Sequence, residues 1–361
     1  MIAAWKFRRE LQRLRQQISA LHEAVWEPWV QRRHDQAFAR GFPAFDGAGL
    51  LNPKIALFLM YQKGALPQSI IETCEHIARH GYSVFIVANG GLPAESRAQL
   101  LRYVWKILER PNVGYDFGGY RDGILQLEAW GIAPDKLLIL NDSIWFPIFE
   151  NDTLLDRMEA SGADVAGTVL RQKDKVRFLE SYLYLIDGCV LKNSDVQRFW
   201  RKFKLTANKY KVIRRGERGH SLALQAAGFH LQAIFSKEEF LSLLAKQDDD
   251  FLEKTLRYGV AETAGLSRQH AALLARQKAT GWRAEVDSHI EQVLQSAQFY
   301  SAFPFAAVRL MQYPILKKSS DMVSNFWRKA YLSAVEANEV DAPKSCVFAE
   351  LQEMAAREVQ V

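Results

Sequence analysis

The apolar positions change period several times along the chain. Ile55-Ala-Leu-Phe-Leu-Met-Tyr61, Ser83-Val-Phe-Ile-Val-Ala-Asn89 and Leu137-Leu-Ile-Leu140 are short, nearly continuous apolar runs of the length of buried parallel strands. Between the first two, Ile70, Ile71, Cys74, Ile77 and Ala78 recur at helical spacing up to a glycine, Gly81. After Asn89-Gly-Gly-Leu-Pro93, the residues Leu100, Leu101, Val104, Trp105 and Leu108 predict another helix. Strand, helix, strand, helix implies right-handed crossovers and an α/β fold whose three strands bring their carboxyl ends to one edge.

Further on, Leu179 to Leu191 is a long β-rich run suited to an antiparallel strand, Val196 to Phe203 predicts a helix, and Phe229 to Phe235 a last strand. Glu217 to Gly228 predicts a helix with Glu217 at its start and Gly228 at its end. From Lys237 onward the pattern is helical. Residues 1 to 40 place Trp5, Phe7, Leu11, Leu14, Ile18, Leu21, Val25 and Trp29 among many arginines at spacings near three and four, a basic amphipathic helix. Such a helix packs on its own domain or a partner, or lies on a membrane surface. The expected division is an N-terminal helical extension and linker over 1–50, an α/β domain over 51–236 and a helical region over 237–361.

Two places break the core pattern. Asn112-Val-Gly-Tyr-Asp-Phe-Gly-Gly-Tyr-Arg-Asp122 crowds three glycines, two acids and an arginine ahead of a helical stretch. Gly114, Gly118 and Gly119 would let backbone amides at a helix start approach a diphosphate, while Asp116 and Asp122 grip hydroxyls and Arg121 meets a phosphate or carboxylate. A purely structural network is the competing reading. Asn141-Asp142-Ser143 ends an apolar strand on polar groups, where a ligand crevice is expected. Asp142 there can ligate a divalent metal bridging a diphosphate, or hold a sugar hydroxyl directly. Glu217 is either a helix-start carboxylate favoured by the dipole or a base facing the crevice.

Composition narrows the classes. With 361 residues and 48% hydrophobic content the chain can bury a full core, and its formal charge of +6 suits anionic nucleotides or lipid surfaces. No nucleic-acid module is present, so no nucleic-acid partner is expected. No G-x-G-x-x-G follows the first strand and no G-K-[ST] occurs, against dehydrogenases and P-loop enzymes. The 3 cysteines, Cys74, Cys189 and Cys346, lie far apart, lack zinc spacing and suit a reducing compartment. No apolar run approaches the roughly 20 residues of a membrane span. A cytoplasmic protein, peripheral on the inner face of the membrane through residues 1–40, is expected.

Asn-Val-Gly-Tyr-Asp-Phe-Gly-Gly-Tyr-Arg-Asp-Gly followed by Leu-Asn-Asp-Ser resembles the rhamnan synthesis protein F family of bacterial polysaccharide glycosyltransferases. The match covers Pro53 to Phe235, with Tyr313-Pro-Ile-Leu-Lys-Lys318 similar to the family's C-terminal pattern. The resemblance implies a GT-A-like, Rossmann-type mixed sheet with flanking helices, and transfer of rhamnose or another deoxyhexose from a dTDP- or GDP-rhamnose-type donor to an oligosaccharide or lipid-linked acceptor during surface polysaccharide (lipopolysaccharide, O-antigen) synthesis. It also implies that Tyr61 and Asn89 hold the nucleoside, that Asn112, Gly114 and the adjacent Tyr115 hold the donor, and that Asn141-Asp142-Ser143 stands where related enzymes carry Asp-x-Asp. A magnesium or manganese ion is then expected at Asp142, although the triplet has only one acid. The pattern Glu-Asp-x-x-Leu seven residues before a glycine is similar at Glu217, with Arg218 replacing the acid, and implies a catalytic base. A catalytically silent nucleotide-sugar-binding subunit, or a partner-binding platform, are the alternatives.

Overall fold

A computed structural model of the chain describes residues 25–173, 176–276 and 280–358. The expected helix over 1–40 therefore lies partly outside the described residues; 25–39 are helical (α1). The chain forms two compact units. One comprises residues up to Leu66, Ile77–Asp142 and Gly162–Gln232, the other Pro67–His76, Ser143–Ser161 and the chain from Ala233.

The first unit is built on a mixed sheet. In chain order the strands are β1 (Ala44–Asp46), β2 (Lys54–Met60), β3 (Tyr82–Asn89), β4 (Lys106–Arg110), β5 (Lys136–Asn141), β6 (Ile144–Trp145), β7 (Val165–Gly167), β8 (Leu170–Lys173), β9 (Val176–Leu179), β10 (Leu183–Asp187), β11 (Leu231–Ala233) and β12 (Leu316–Lys317). Eight of them make one sheet in the order β1-β4-β3-β2-β5-β10-β7-β11. The neighbours β4, β3, β2 and β5 are parallel, β1 is antiparallel to β4, and β10 is antiparallel to both β5 and β7. This is the Rossmann-type mixed sheet with flanking helices that the sequence predicts. Its apolar runs are buried on both faces, as parallel strands between helices must be.

The order also locates the crevice. From β2 the chain steps outward to β3 and β4, then returns to lay β5 on the other side of β2. The carboxyl ends of β2 and β5 thus flank a topological switch point, with Leu59 paired to Asn141.

Two expectations are corrected. Trp105 and Leu108 do not continue a helix: after α2 (Gln68–Arg79), the helix α3 (Ala94–Leu100) stops, and Lys106–Arg110 becomes β4, pairing with Phe85 to Asn89. Their spacing fits either period over so short a stretch, and Trp105 packs instead against Phe85 and Trp130, ring centroids 5.9 and 6.0 Å away. The Leu179 to Leu191 run is not one strand. It breaks between β9 and β10, and Asp187 then caps a short helix by accepting from the Cys189 N–H at 3.0 Å. The expected antiparallel direction holds for β10. Of the cysteines, Cys74 is buried but Cys189 is exposed.

The second unit is mostly helical around stacked aromatics. Tyr300 and Tyr313 lie parallel with centroids 4.8 Å apart, and Trp327 packs on Tyr300 at 5.0 Å. β6 and β12 form a two-stranded ribbon. Glu350 ties its distant segments together, accepting from the Ser69 N–H and hydroxyl at 3.0 and 2.7 Å and from the buried Trp145 indole at 2.7 Å. Tyr313 to Lys318 supplies the aromatic stack and β12 of this unit.

Candidate functional site

At the switch point the Asp142 N–H continues the β2 edge by donating to the Leu59 carbonyl at 3.0 Å. Its Oδ2 accepts from the Tyr61 N–H at 2.7 Å and the Gln62 side-chain amide at 3.1 Å. The carboxylate is thereby fixed across the carboxyl ends of β2 and β5. Tyr61 is 42% exposed, with the Lys63 ammonium 5.2 Å from its ring centroid. Gly90, at φ +82°, lies beneath this ring: a Cβ there would sit 3.6 Å from Tyr61 Cε2 and 3.7 Å from Asn112 Cβ. Tyr61, Gly90 and Asn112 therefore meet beyond the ends of β2, β3 and β4. Asn89 is buried and its side-chain oxygen accepts from the Arg110 guanidinium. Ser143 is exposed and belongs to the second unit.

The helix α4 (Tyr115–Ala129) begins beside this crevice, with Gly114 and Tyr115 both in the left-handed region at φ +86° and +51°. Asp116, in its first turn, accepts from the Asn141 amide at 3.2 Å. The same amide donates to the Tyr120 hydroxyl at 3.1 Å, which donates to the Ser181 carbonyl at 2.8 Å. The Ser181 hydroxyl in turn donates to Glu217 Oε1 at 2.6 Å. These contacts bring the Asp116 and Glu217 carboxylates to the end of β5, with Ser181 contributing two separate groups, its carbonyl to Tyr120 and its hydroxyl to Glu217.

Glu217 is not at a helix start. Residues Lys209–Ile213 and Gly219–Ala226 are α-helical, and Arg214–Arg218 between them is a π turn that carries Glu217. Such turns hold one residue more per turn than their flanks and are common at functional sites. Gly216 makes the turn possible against the buried Phe117, whose ring a Cβ would approach to 2.4 Å.

The electrostatics bind these carboxylates into one group. Burial, then the charges of Asp142 and Glu217, push the Asp116 carboxyl up to about 6, with Lys209 partly opposing. Tyr184, nearby and buried, is raised by burial and by Glu217 and Asp116, and its hydroxyl has no hydrogen-bond partner among the described residues. His220 is buried among Trp200, Phe199 and Phe117 and falls to about 3 by desolvation, so it stays neutral and is no proton carrier at neutral pH.

The crowding at Asp116 has a thermodynamic consequence. A carboxyl raised in the folded state binds its proton more tightly there than in the unfolded chain, so its contribution falls as pH rises from about 4 through about 6. Asp116→Asn should therefore stabilise the protein at neutral pH by on the order of 1–3 kcal/mol and give no gain below about pH 4. Urea unfolding at the two pH values checks this; an equal gain at both would refute the charge origin.

The other half of the motif turns inward. Asp122 is 0% exposed, and its Oδ2 accepts from Arg110 Nε at 2.6 Å and contacts His34 Nε2 at 2.7 Å, while Oδ1 accepts from Arg121 Nη1 at 3.0 Å. Arg121 Nη2 donates on to Asp35 at 2.8 Å, and Arg110 Nη2 to the Val113 carbonyl at 2.7 Å. Arg121 and Asp122 thus fasten α1 to α4 and hold the 110–113 loop. Gly118 and Gly119 lie within α4 and pack it close: a Cβ on Gly118 would meet the Val113 carbonyl at 2.4 Å, and one on Gly119 the Leu59 side chain at 2.1 Å. The sequence reading missed His34, Arg110, Tyr120, Ser181 and Tyr184. A histidine beside an acid on the basic amphipathic helix, His34-Asp35, was the available signal for the first of these.

Two comparisons bear on identity. The model of the family described as rhamnan synthesis protein F matches residues 84–254, which include β4, α4, β5 and the π turn. An uncharacterized protein of Sinorhizobium fredii (strain NBRC 101917 / NGR234), y4gN, is 30% identical over 351 residues, 95% of this chain and 90% of that one. Among solved structures, the mannosyltransferase PcManGT of Pyrobaculum calidifontis, in complex with GDP-Man and Mn2+, aligns at 10% identity and a TM-score of 0.31 over 96% of this chain and 91% of that one. The glycosyltransferase GlyE of Streptococcus pneumoniae TIGR4 aligns at 11% and 0.35 over 81% and 66%. Scores of that size carry no argument for this chain, and identity rests on the sequence matches, which span the helix α1, the whole sheet and the second unit. The chain belongs to the rhamnan synthesis protein F family.

Proposed function

We propose that this protein is a glycosyltransferase that moves a sugar, rhamnose or another deoxyhexose, from a nucleoside-diphosphate donor to a hydroxyl of a growing bacterial surface polysaccharide. Family membership supports the class of reaction, and the observation that carries it to this chain is the group of coupled carboxylates, Asp116, Asp142 and Glu217, at the switch-point crevice. In this reading the exposed Tyr61 ring offers a face to the nucleobase, and Gly90 and Asn112 leave room beside it. Asp142 and Asp116, with Asn141, face the sugar and diphosphate. Arg121, Asp122, Gly118 and Gly119 serve the donor indirectly, by fixing the loop and the helix start on which Asn112, Gly114 and Tyr115 stand.

For an inverting transfer, Glu217 takes the proton of the acceptor hydroxyl as that oxygen forms its bond to the anomeric carbon. The bond from that carbon to the diphosphate breaks, and the nucleoside diphosphate leaves with the electron pair. Lys209 and Arg214 are the exposed cations on this stretch available to the leaving charge.

A divalent cation fits the donor set in one respect: Asp116 and Asp142 repel each other, which a cation relieves. Among the described residues no group of three or more His, Cys, Asp or Glu side chains is arranged to hold an ion, so the diphosphate would supply the remaining ligands. When bound, such an ion would neutralise diphosphate charge. No helix of the described residues is long and apolar enough to cross a membrane. Val25 and Trp29 are exposed on α1, which supports peripheral contact at the cytoplasmic face.

Calorimetric titration with dTDP, GDP and UDP, each with and without manganese and repeated on Asp142→Ala, tests the reading. Binding of one nucleotide that Asp142→Ala abolishes is expected. Failure of all three at millimolar concentration would overturn it, and binding without any turnover of the matching nucleotide sugar would favour a silent scaffold subunit.

A further inference from the structure

Next to the loop 112–115 the first unit contains a cavity of about 400 Å³, within the range of about 300–1,000 Å³ usual for small-ligand sites. Its walls are Trp26 and Val30 of α1, Asn112 and Tyr115, and Leu205 and Thr206. The cavity is braced. Glu27 of α1 accepts from both guanidinium nitrogens of Arg215 at 3.1 Å and from Lys211 at 3.0 Å, and Gln31 accepts from the Leu205 N–H at 2.8 Å. The wall built by α1 is therefore tied to the π turn that carries Glu217.

The lining fits one chemical class. Trp26 and Tyr115 are 53% and 45% exposed as residues, and Tyr115 is so from a left-handed backbone that a non-glycine residue rarely adopts. Backbone held in such a region clusters where a side chain must be presented for function. Aromatic faces beside an amide and a hydroxyl suit a ring with apolar C–H faces and polar edges. A diphosphate does not suit it: among the described residues of the lining the one ionised group is Glu27, an anion already paired with Arg215 and Lys211.

The geometry points to this cavity as the acceptor subsite, receiving a neutral hexose unit of the polysaccharide on the aromatic faces of Trp26 and Tyr115, which moves Tyr115 from the donor to the acceptor side and leaves Asn112 on the wall between the two. The assignment rests on the transferase reading of the adjoining crevice and adds the substrate class for its other side. It also makes α1, which precedes the segment matched by the family model, a determinant of acceptor choice.

The test is saturation-transfer NMR of the full chain with methyl glycosides of rhamnose, glucose, galactose and N-acetylglucosamine at millimolar concentration. The same titrations are run on Trp26→Ala, on Val30→Trp, which fills the cavity, and on Trp29→Ala, an exposed α1 tryptophan that does not line it. At least one glycoside should bind the wild type, with about tenfold loss in Trp26→Ala and Val30→Trp and none in Trp29→Ala. Nucleotide affinity should be the same in all four proteins. If nucleotides bind and no glycoside does, or if glycoside binding survives both cavity variants, the subsite is wrong and the transferase reading stands. If no nucleotide binds either, the transferase reading itself has failed.

Discussion

Glu217→Gln is expected to lower sugar transfer by about 10²–10⁴-fold while nucleotide binding stays unchanged. The substitution keeps the shape of the side chain and an oxygen able to accept the Ser181 hydroxyl, which now donates to Glu217 Oε1 at 2.6 Å. What it removes is the capacity to take a proton. The measurement is steady-state transfer with the donor found by titration, separating kcat from donor KM. A fall in kcat with donor KM unchanged supports a base. A variant of wild-type activity would exclude Glu217 from proton transfer and leave its bond to the Ser181 hydroxyl as a purely structural connection.

The largest effect on stability belongs to Asp122. Asp122→Ala is expected to cost about 3–5 kcal/mol, because it leaves Arg110 buried without its carboxylate, and such uncompensated charges are far costlier than the pair is beneficial. Burial alone would raise the Asp122 carboxyl, but His34, Arg110 and Arg121 outweigh it and hold it below the usual carboxylate range. A carboxyl lowered in the folded state contributes stability above its unfolded value, and that contribution is lost as pH falls through the folded one. The wild type should thus lose this support only in acid, while the variant lacks it at every pH. Urea unfolding at neutral pH checks the magnitude; a loss under about 1 kcal/mol would mean the network relaxes around the missing group.

Much of the fold could be read from sequence because the three central strands are almost unbroken apolar runs, a pattern with few alternatives once glycine and helical stripes flank them. β4 could not be read this way. Its five residues, Lys-Ile-Leu-Glu-Arg, mix polar ends with two apolar positions, and only pairing with β3 on one side and β1 on the other makes them a strand. At the crevice, Asp142 and Asn141 were legible because polar groups ending an apolar strand have little other use. The glycines of the 112–122 motif were legible as unusual but not in role. Spacing reveals that a helix start is rich in glycine, whereas only the positions of Leu59 and Val113 show that two of these glycines admit a neighbour. The inward turn of Arg121 and Asp122 depends on His34 and Arg110, one some 90 residues away, and no local pattern encodes it.

The position of β2 bears on what counts as a unit of inheritance here. The segment recognised by the family model opens at residue 84, inside β3, and closes at 254. It omits β2, which lies between β3 and β5 and hydrogen-bonds to both. Excised at those borders, the segment would present two long apolar strand edges with nothing between them, the configuration most prone to pair with other chains. It would also lack His34 and Asp35, the partners of Asp122 and Arg121. The recognisable signature is thus a window on the switch-point crevice, and a fragment meant to fold alone must reach back through the strand and helix that precede it.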